Sequence, residues 1–259
     1  MEASKVNMRL GCDPEVFLQD NNGKHISVIG LIQADKWNPL QIPDMPKGFT
    51  LQEDNVALEY GVPPASSAQE FIQNIRSVMA RSQAWLPGLQ FSKLSATVFS
   101  DDQLDNPAAH VFGCEPDFDA WTGQMNPPPN SGIPNLRSAG GHVHIETDQS
   151  PYLIGQRCDL FLAVPATLMD TNPAALERRR LYGKRGAIRP KPYGVEYRTL
   201  SNFWIFEDKL IEWVWNSTKR AVEEKIDVSH LSERIIEAVN NNNKKVAEEL
   251  VKEYSLEVF

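Results

Sequence analysis

Asp13 and Glu15 stand two residues apart in Gly11-Cys12-Asp13-Pro14-Glu15, so in a strand both carboxylates point to one face. Glu59 lies on a second strand-like segment, in the same parity as Glu53 and Asn55. In a third, Gly140-Gly141-His142-Val143-His144-Ile145-Glu146, three polar side chains share a face, and the glycines permit close approach of backbone or ligand. In a fourth, Glu196 and Arg198 flank Tyr197. Taken singly, each pattern also fits an alternating strand with its polar face in solvent, and for Asp13 or Glu53 alone that reading is the stronger. His142 and His144 fit solvent-facing histidines or, with one acid, a zinc site. Together they point to chemistry. Carboxylates from several strands repel when brought close unless a cation sits between them, and hard oxygen ligands favour Mg²⁺ or Mn²⁺.

The charge distribution supplies a counterpart. The chain has 259 residues and a net charge of −8, yet Arg178 to Arg198 holds eight basic residues and one acid, Glu196. The rest carries 18 basic against 33 acidic residues. A cationic island on an acidic protein suits a compact polyanion such as nucleotide phosphates; a charge run by itself is more often a solvated loop. The acidic total and the lack of interleaved aromatics argue against nucleic acid. Within the island Lys184 and Arg185 are phosphate candidates. Carboxylates for metal with arginines for phosphate form the inventory of phosphoryl transfer from a metal–nucleotide complex.

These residues need a sheet to bring them together. Residues 12–18 read as a strand, Asn21-Asn22-Gly23 as a turn and 24–32 as the returning strand. Residues 35–50 read as loop. Phe49 to Val62 reads as one long extended segment ended by Pro63-Pro64. Ser66 with Gln69, or Ser67 with Glu70, starts a helix running to about Trp85. Strands follow over 91–99 and 138–146, with a stiff Pro-rich loop at 126–135 between them. Ser150-Pro151 opens an apolar helix that Pro165 should kink or break. Val195 to Phe203 is the last strand, and helices follow at 207–224, after Ser229 and at 244–254. Hairpin signals between helices predict an antiparallel α+β domain with a helical C-terminus. A chain of this length and hydrophobic content supports a sizeable core in one large domain or two small ones. Trp213 and Trp215 read as core. No run of about 18 apolar residues predicts a membrane span, and no secretory leader is visible at the start of the sequence. Cys12, Cys114 and Cys158 form no zinc or disulfide pattern and have no clear His-Asp partner, so the expected compartment is the cytoplasm.

The motifs resemble a known family. Gly11 to Leu18 resembles the Glu-Pro-Glu metal strand of glutamine synthetases, and Gly140 to His144 their Gly-x-His-x-His strand. Arg189-Pro190 and then Glu196-Tyr197-Arg198 resemble the Ile-Arg-x-Pro and Glu-x-Arg motifs that follow, in the same order. The chain is most similar to the compact, bacteriophage-encoded type 2 carboxylate–amine ligases (amidoligases) of the glutamine synthetase and glutamate–cysteine ligase superfamily. The resemblance covers most of residues 10–205 and leaves the helical segment from about 206 to 259 without motifs, within a single catalytic domain. It implies a curved, mostly antiparallel sheet with helices on its outer face. It implies an ATP-dependent carbon–nitrogen ligase with Mg²⁺ or Mn²⁺, in which ATP phosphorylates a carboxylate and an amine displaces phosphate.

By that match Asp13, Glu15, Glu59, His142 and Glu196 hold the metals, and His144 and Arg189 face the nucleotide. Arg198 stabilises the transferring phosphoryl group or the substrate carboxylate, and Glu59 joins it as a catalytic residue. Asp13 is shorter than the acid it replaces, and Glu53 or Asp54 is a further candidate for the role of Glu59. The implied partners are small-molecule or peptide substrates, one carboxylate and one amine, with no membrane; homo-oligomerisation is left open. Phe112 to Trp121 echoes the first motif, either as a loop touching substrate or as a turn over a buried Trp121. The alternatives are a guanidino-type ATP phosphotransferase, an inactive nucleotide-binding module of the same fold, and, as a poorer fit, a zinc hydrolase.

Overall fold

Alternation along the strands builds a sheet with one apolar and one polar face. The computed structural model describes residues 8–111, 117–128 and 132–259. Its strands are β1 (Arg9–Gln19), β2 (His25–Ile26), β3 (Leu40–Gln41), β4 (Thr50–Asp54), β5 (Ala57–Ala65), β6 (Gln90–Ser92), β7 (Ala96–Val98), β8 (Phe118–Asp119), β9 (Leu136–Ser138), β10 (Gly141–Glu146), β11 (Ala187–Lys191) and β12 (Gly194–Tyr197). The main sheet runs β3-β4-β5-β1-β10-β12-β11-β8, with β2 and β6 against the far end of β1, and β7 pairs β9 apart from it. Every pairing is antiparallel.

Leu10, Cys12, Val16, Leu58, Tyr60, Val143, Ile145, Ile188, Val195 and Tyr197 bury on the apolar face. Helices cover it: α1 (Ala68–Gln83) lies on β5, α2 (Pro151–Cys158) lies on β11 and β12, and α5 (Asp208–Glu223) packs across both helices. Phe71 of α1 stacks on Trp204, ring centres 5.9 Å apart. Trp213 and Trp215 are core, as their spacing suggested. Ser67 caps α1, accepting from Glu70 N at 3.2 Å, while the Glu70 carboxylate accepts from Ser66 N at 2.7 Å. Behind α2 the chain stays helical through a π turn at Asp159–Ala163 into α3 (Val164–Met169). Pro165 therefore ends no helix; it sits near the start of α3, where its missing N–H costs little. Two further helices, α4 (Ala175–Leu181) and α6 (Ser232–Ile235), precede α7 (Lys244–Glu253), and another π turn at Ile236–Asn240 interrupts the expected helix after Ser229.

Several strands differ from the sequence expectation. The extended segment 49–62 is a hairpin, because Asn55 takes φ +54° and turns the chain between Asp54 and Ala57. Pro63-Pro64 do not end β5, which runs to Ala65; they sit where its register against β1 shifts, a place that needs no ladder donor. Segment 138–146 is split at Ala139-Gly140, 24–32 keeps only β2, 91–99 divides into β6 and β7, and 195–203 gives way to a 3₁₀ turn at Asn202–Phe206.

Part of the cationic island is structural. Arg178 of α4 is buried and donates to the carbonyls of Ala139 (3.2 Å), Thr199 (3.1 Å) and Leu200 (2.8 Å). It thereby ties α4 to both strand exits that carry site residues. Burial lowers its pKa to about 10, so it stays charged at neutral pH. Arg178→Met removes the guanidinium donor from three buried carbonyls, of which Leu200 O keeps Gly141 N at 3.0 Å, and is expected to cost about 3 kcal/mol, whereas Lys184→Ala, on an exposed residue, stays within about 0.5 kcal/mol. Urea unfolding of the two variants measures the contrast.

Candidate functional site

Register places the polar residues on the opposite face. Asp13 of β1 faces His142 of β10, and Gly11 faces His144. His144 faces Glu196 of β12, which faces Arg189 of β11. On the other side Glu15 faces Glu59 of β5, which faces Gln52 of β4. The expected metal residues thus come together as two clusters. Asp13, His142 and Glu196 form one; Glu15, Glu59 and Asp54 form the other; within each the ligand atoms lie within 4.8 Å of one another.

In the first cluster Asp13 Oδ2 lies 3.1 Å from His144 Nε2 and Oδ1 lies 3.5 Å from His142 Nδ1. Asp13 Oδ1 is buried and accepts no hydrogen bond among the described residues. Burial alone would raise the Asp13 carboxyl, but the imidazoles of His144 and His142 hold it well below the usual range. Burial would likewise lower His144, and Asp13 outweighs it and raises the imidazole. His144 Nδ1 also meets Tyr193 Oη at 2.5 Å. His142 fits because residue 140 is glycine: a Cβ there would lie 2.3 Å from Nε2 of the ring.

Glu196 is fully buried. Its carboxylate accepts from Arg189 Nη1 at 3.1 Å to each oxygen, meets Lys191 Nζ at 3.0 Å and pairs with Arg198. Burial and Asp13 push its pKa up; Arg198, His142 and Arg189 more than offset them and bring it to about 2. Arg198 also lies 3.4 Å from His142 Nδ1 and 3.5 Å from Asp117 Oδ2.

The second cluster is acid against acid. Glu59 is raised by burial and then by Asp13, Asp54 and Glu15. Asp54 is raised to about 6, by desolvation and then by Glu15. Glu15 Oε2 accepts from Gly140 N at 2.8 Å, which fixes that carboxylate to the strand break. Crowded carboxylates of this kind fit a divalent cation, and an all-oxygen set suits Mg²⁺ or Mn²⁺; the first cluster offers mixed N and O ligands, which also suit Mn²⁺.

The remaining candidates divide. Glu53 faces away, accepting from the backbone of Gly30, Ile32 and Gln33 at 2.9 Å, so Asp54 is the acid beside Glu59. Arg185 is engaged by Asp119 at 2.9 Å and lies over Trp121, and Lys184 is exposed; neither lines the groove described next. Trp121 is half-buried and donates to Asp159 at 2.6 Å. In the 112–121 motif, residues 112–116, including Cys114, lie outside the described residues; Asp117 reaches Arg198. Cys12 and Cys158 are buried, and burial pushes both thiols up, against a nucleophilic role. Lys191, Tyr193 and Asp117 went unnamed as site residues in the sequence. For Lys191 the two-residue spacing from Arg189 was the available signal.

Three adjoining cavities line this face. The outer one, about 660 Å³, is walled by Val62, Pro63 and Pro64 and rimmed by Arg9, Lys47, His144 and Tyr193. The middle one, about 260 Å³, holds Asp13, Glu15, Asp54, Glu59, Arg189 and Arg198, with Lys36 and Trp37 at its edge. The inner one, about 60 Å³, is lined by Glu15, Asp54, His142 and Arg198 together with Val111, Arg137 and Tyr182.

Residues 134–258, just under half of the chain, match the family model of phage phiEco32-like COOH.NH2 ligase-type 2. That segment holds His142, His144, Arg189, Glu196 and Arg198, and its match agrees with the resemblance to type 2 carboxylate–amine ligases, a carbon–nitrogen ligase family. Asp13, Glu15 and Glu59 precede it. No curated protein sequence matches the chain. Among solved structures, a bifunctional glutathione synthetase from Pasteurella multocida is similar at 10% identity and a TM-score of 0.44, over 96% of this chain and 47% of that one. A novel glutamine synthase homolog is similar at 13% identity and a TM-score of 0.38, over 95% of this chain and 66% of that one. The chain thus spans about half and about two thirds of their respective lengths.

The pKa shifts set a pH dependence. An acid raised in the folded state binds its proton more tightly when folded, so its charged form costs stability. For Asp54 that cost is absent below an unfolded pKa of about 3.9, grows as pH rises toward about 6 and persists above. A divalent cation offsets it only once the carboxylates are ionised. Mn²⁺ should therefore raise the melting temperature more at pH 7.5 than at pH 5. Glu59→Gln should raise the metal-free melting temperature at pH 7.5 and lose most of the Mn²⁺-induced gain; thermal scans across pH with and without Mn²⁺ test both.

Proposed function

We propose that the protein is an ATP- and Mg²⁺-dependent carboxylate–amine ligase that forms an amide or peptide-like bond through an acyl phosphate. The observation that carries the reading is the placement of Arg198, which lines both the middle and inner cavities between the two acidic clusters. The family match over residues 134–258 supports it.

The outer cavity has the size of a ligand site and apolar walls with a few polar groups at its rim, which suits a nucleotide base. Its phosphates would then point toward His144, Arg189 and Lys191. Divalent cations at the two clusters would neutralise phosphate charge and polarise the transferring group. Asp13, His142 and Glu196 would hold one; Glu15, Asp54 and Glu59 the other. The inner cavity, with Arg137 in its wall, would take the carboxylate substrate so that its oxygen meets the phosphoryl group beside Arg198. That guanidinium is held in place by Glu196 and Asp117 and needs no reorganisation as charge develops. An amine arriving through the middle cavity, past Trp37 and the acids, would displace phosphate and pass its proton toward that acidic side. Glu59, on that side of the middle cavity, is the carboxylate placed to receive it. The substrates are proposed to be small molecules or peptides.

Turnover should yield ADP and inorganic phosphate in equal amounts, and only with both a carboxylate and an amine present. Arg198→Ala should lower kcat about 100-fold while nucleotide KM changes little. A screen of carboxylate–amine pairs followed by phosphate release tests this. A stable phosphorylated amine with no free phosphate would replace the ligase with a phosphotransferase, and no Mg–ATP binding by calorimetry would end both readings.

A further inference from the structure

The hairpin turn that carries Asp54 is gripped from the side by one residue. Asn55 Oδ1 accepts from Val56 N at 2.9 Å and from Arg137 Nε at 3.3 Å. Its Nδ2 donates toward three carbonyls, Ala108 at 3.2 Å, Ala109 at 3.0 Å and Val111 at 3.2 Å. An amide has two protons for those three acceptors, so the side chain is saturated. Arg137 is 3% exposed and braces the same segment, donating to Ala109 O at 2.7 Å and to the carbonyls of Pro134 and Leu136 at 3.0 Å. Beneath them Val56 and Ala57 share a small separate core with Phe99, Leu104 and Ala109. The turn and segment 104–111 therefore form one packed body. That body supplies Asn55, Val56 and Val111 to the wall of the inner cavity and, through the next residue along the hairpin, Asp54 to the acidic cluster.

We propose that Asn55 is a positioning residue that couples cation binding at Glu15, Asp54 and Glu59 to the wall of the inner cavity. This rests on the reading of those acids as a cation site. Asp54 lies against the carboxylates of Glu15 and Glu59, with its own pKa raised by burial and then by Glu15, and the backbone at residue 55 sits in the left-handed region. The grip on 108–111 keeps the turn, and with it Asp54, in place. A cation that binds Asp54 stiffens the turn and with it the wall; ordering the wall strengthens cation binding by the same factor, because the coupling is reciprocal. Substrate fit in the inner cavity is then linked to metal loading, although Asn55 touches neither reacting atom.

Asn55→Gly keeps the positive φ available and removes every side-chain bond; Asn55→Asp keeps the shape and turns a carboxylate on the three carbonyls. Mn²⁺ titration followed by electron paramagnetic resonance resolves the two cation positions, and hydrogen exchange of residues 104–111 with and without Mn²⁺ reads the wall. The wild-type protein should bind two Mn²⁺ and show slower exchange at 104–111 when loaded. Both variants should weaken one Mn²⁺ about tenfold, leave the other unchanged, and lose the Mn²⁺-dependent protection. Wild-type titration of both ions with unaltered exchange at 104–111, or variants that bind both ions as the wild type does, overturns the proposal. Two Mn²⁺ with the expected coupling but no ADP or phosphate under any substrate pair upholds the proposal while sinking the ligase reading.

Discussion

Like charge on neighbouring strands is the constraint that organises this molecule. Asp13, Glu15 and Glu59 project from two paired strands, with Glu196 and Asp54 close on either side. A sheet tolerates such crowding only if counter-charges are built in or arrive from outside. The two clusters solve it differently. Around Glu196 the chain supplies its own cations, Arg189, Lys191 and Arg198, and around Asp13 two imidazoles. In the other cluster burial and neighbouring carboxylates keep Asp54 and Glu59 raised, a repulsion that a divalent ion would relieve.

Register makes that arrangement possible. A one-residue slip of β10 against β1 would drive His142 and His144 into the core and put Val143 and Ile145 on the polar face. The apolar face prevents it, because Leu10, Val143, Ile145 and Val195 are fully buried under the helices. Asp159 adds a pin from the helical layer. It sits in the π turn behind α2 and accepts from Tyr197 Oη at 2.7 Å, Gly186 N at 2.9 Å and Trp121 Nε1 at 2.6 Å. Tyr197 lies between Glu196 and Arg198, so a carboxylate on the far side of the sheet helps to fix both. The extra residue of a π turn is a local cost, and here it places Asp159 within reach of three donors from β12, the β11 approach and the β8 turn.

Much of this was legible before any coordinates, and the reason is periodicity. Two-residue spacing tells which side chains share a face, so Asp13 with Glu15, His142 with His144, and Glu196 with Arg198 could be paired from the sequence. Helix α1 announced itself by its capping box and 3.6-residue repeat, and α5 by its amphipathic repeat. What periodicity cannot report is where a strand turns without glycine. Asn55-Val56 lacks the usual Asn-Gly signal, so Phe49 to Val62 read as one strand. Glu53 then shared the parity of Glu59, whereas the hairpin turns it to the other face and puts Asp54 there instead. Nor does composition separate a cation that binds phosphate from one that binds carbonyls. Arg178 and Arg189 belong to the same basic run, yet one is consumed by three backbone oxygens and the other reaches Glu196.

The division of the basic run follows from where the sheet ends. Backbone at a strand terminus leaves carbonyls without ladder partners, and buried carbonyls need donors. Ala139 and Thr199 are such termini, beside the break before β10 and after β12, and the guanidinium of Arg178 is wide enough to reach both and also Leu200 O, which already accepts from Gly141 N. Within the strands the ladder already satisfies the backbone, so Arg189, Lys191 and Arg198 are left to pair with side chains on the polar face. Position relative to the ladder, rather than charge density, decides which basic residues are available to the groove.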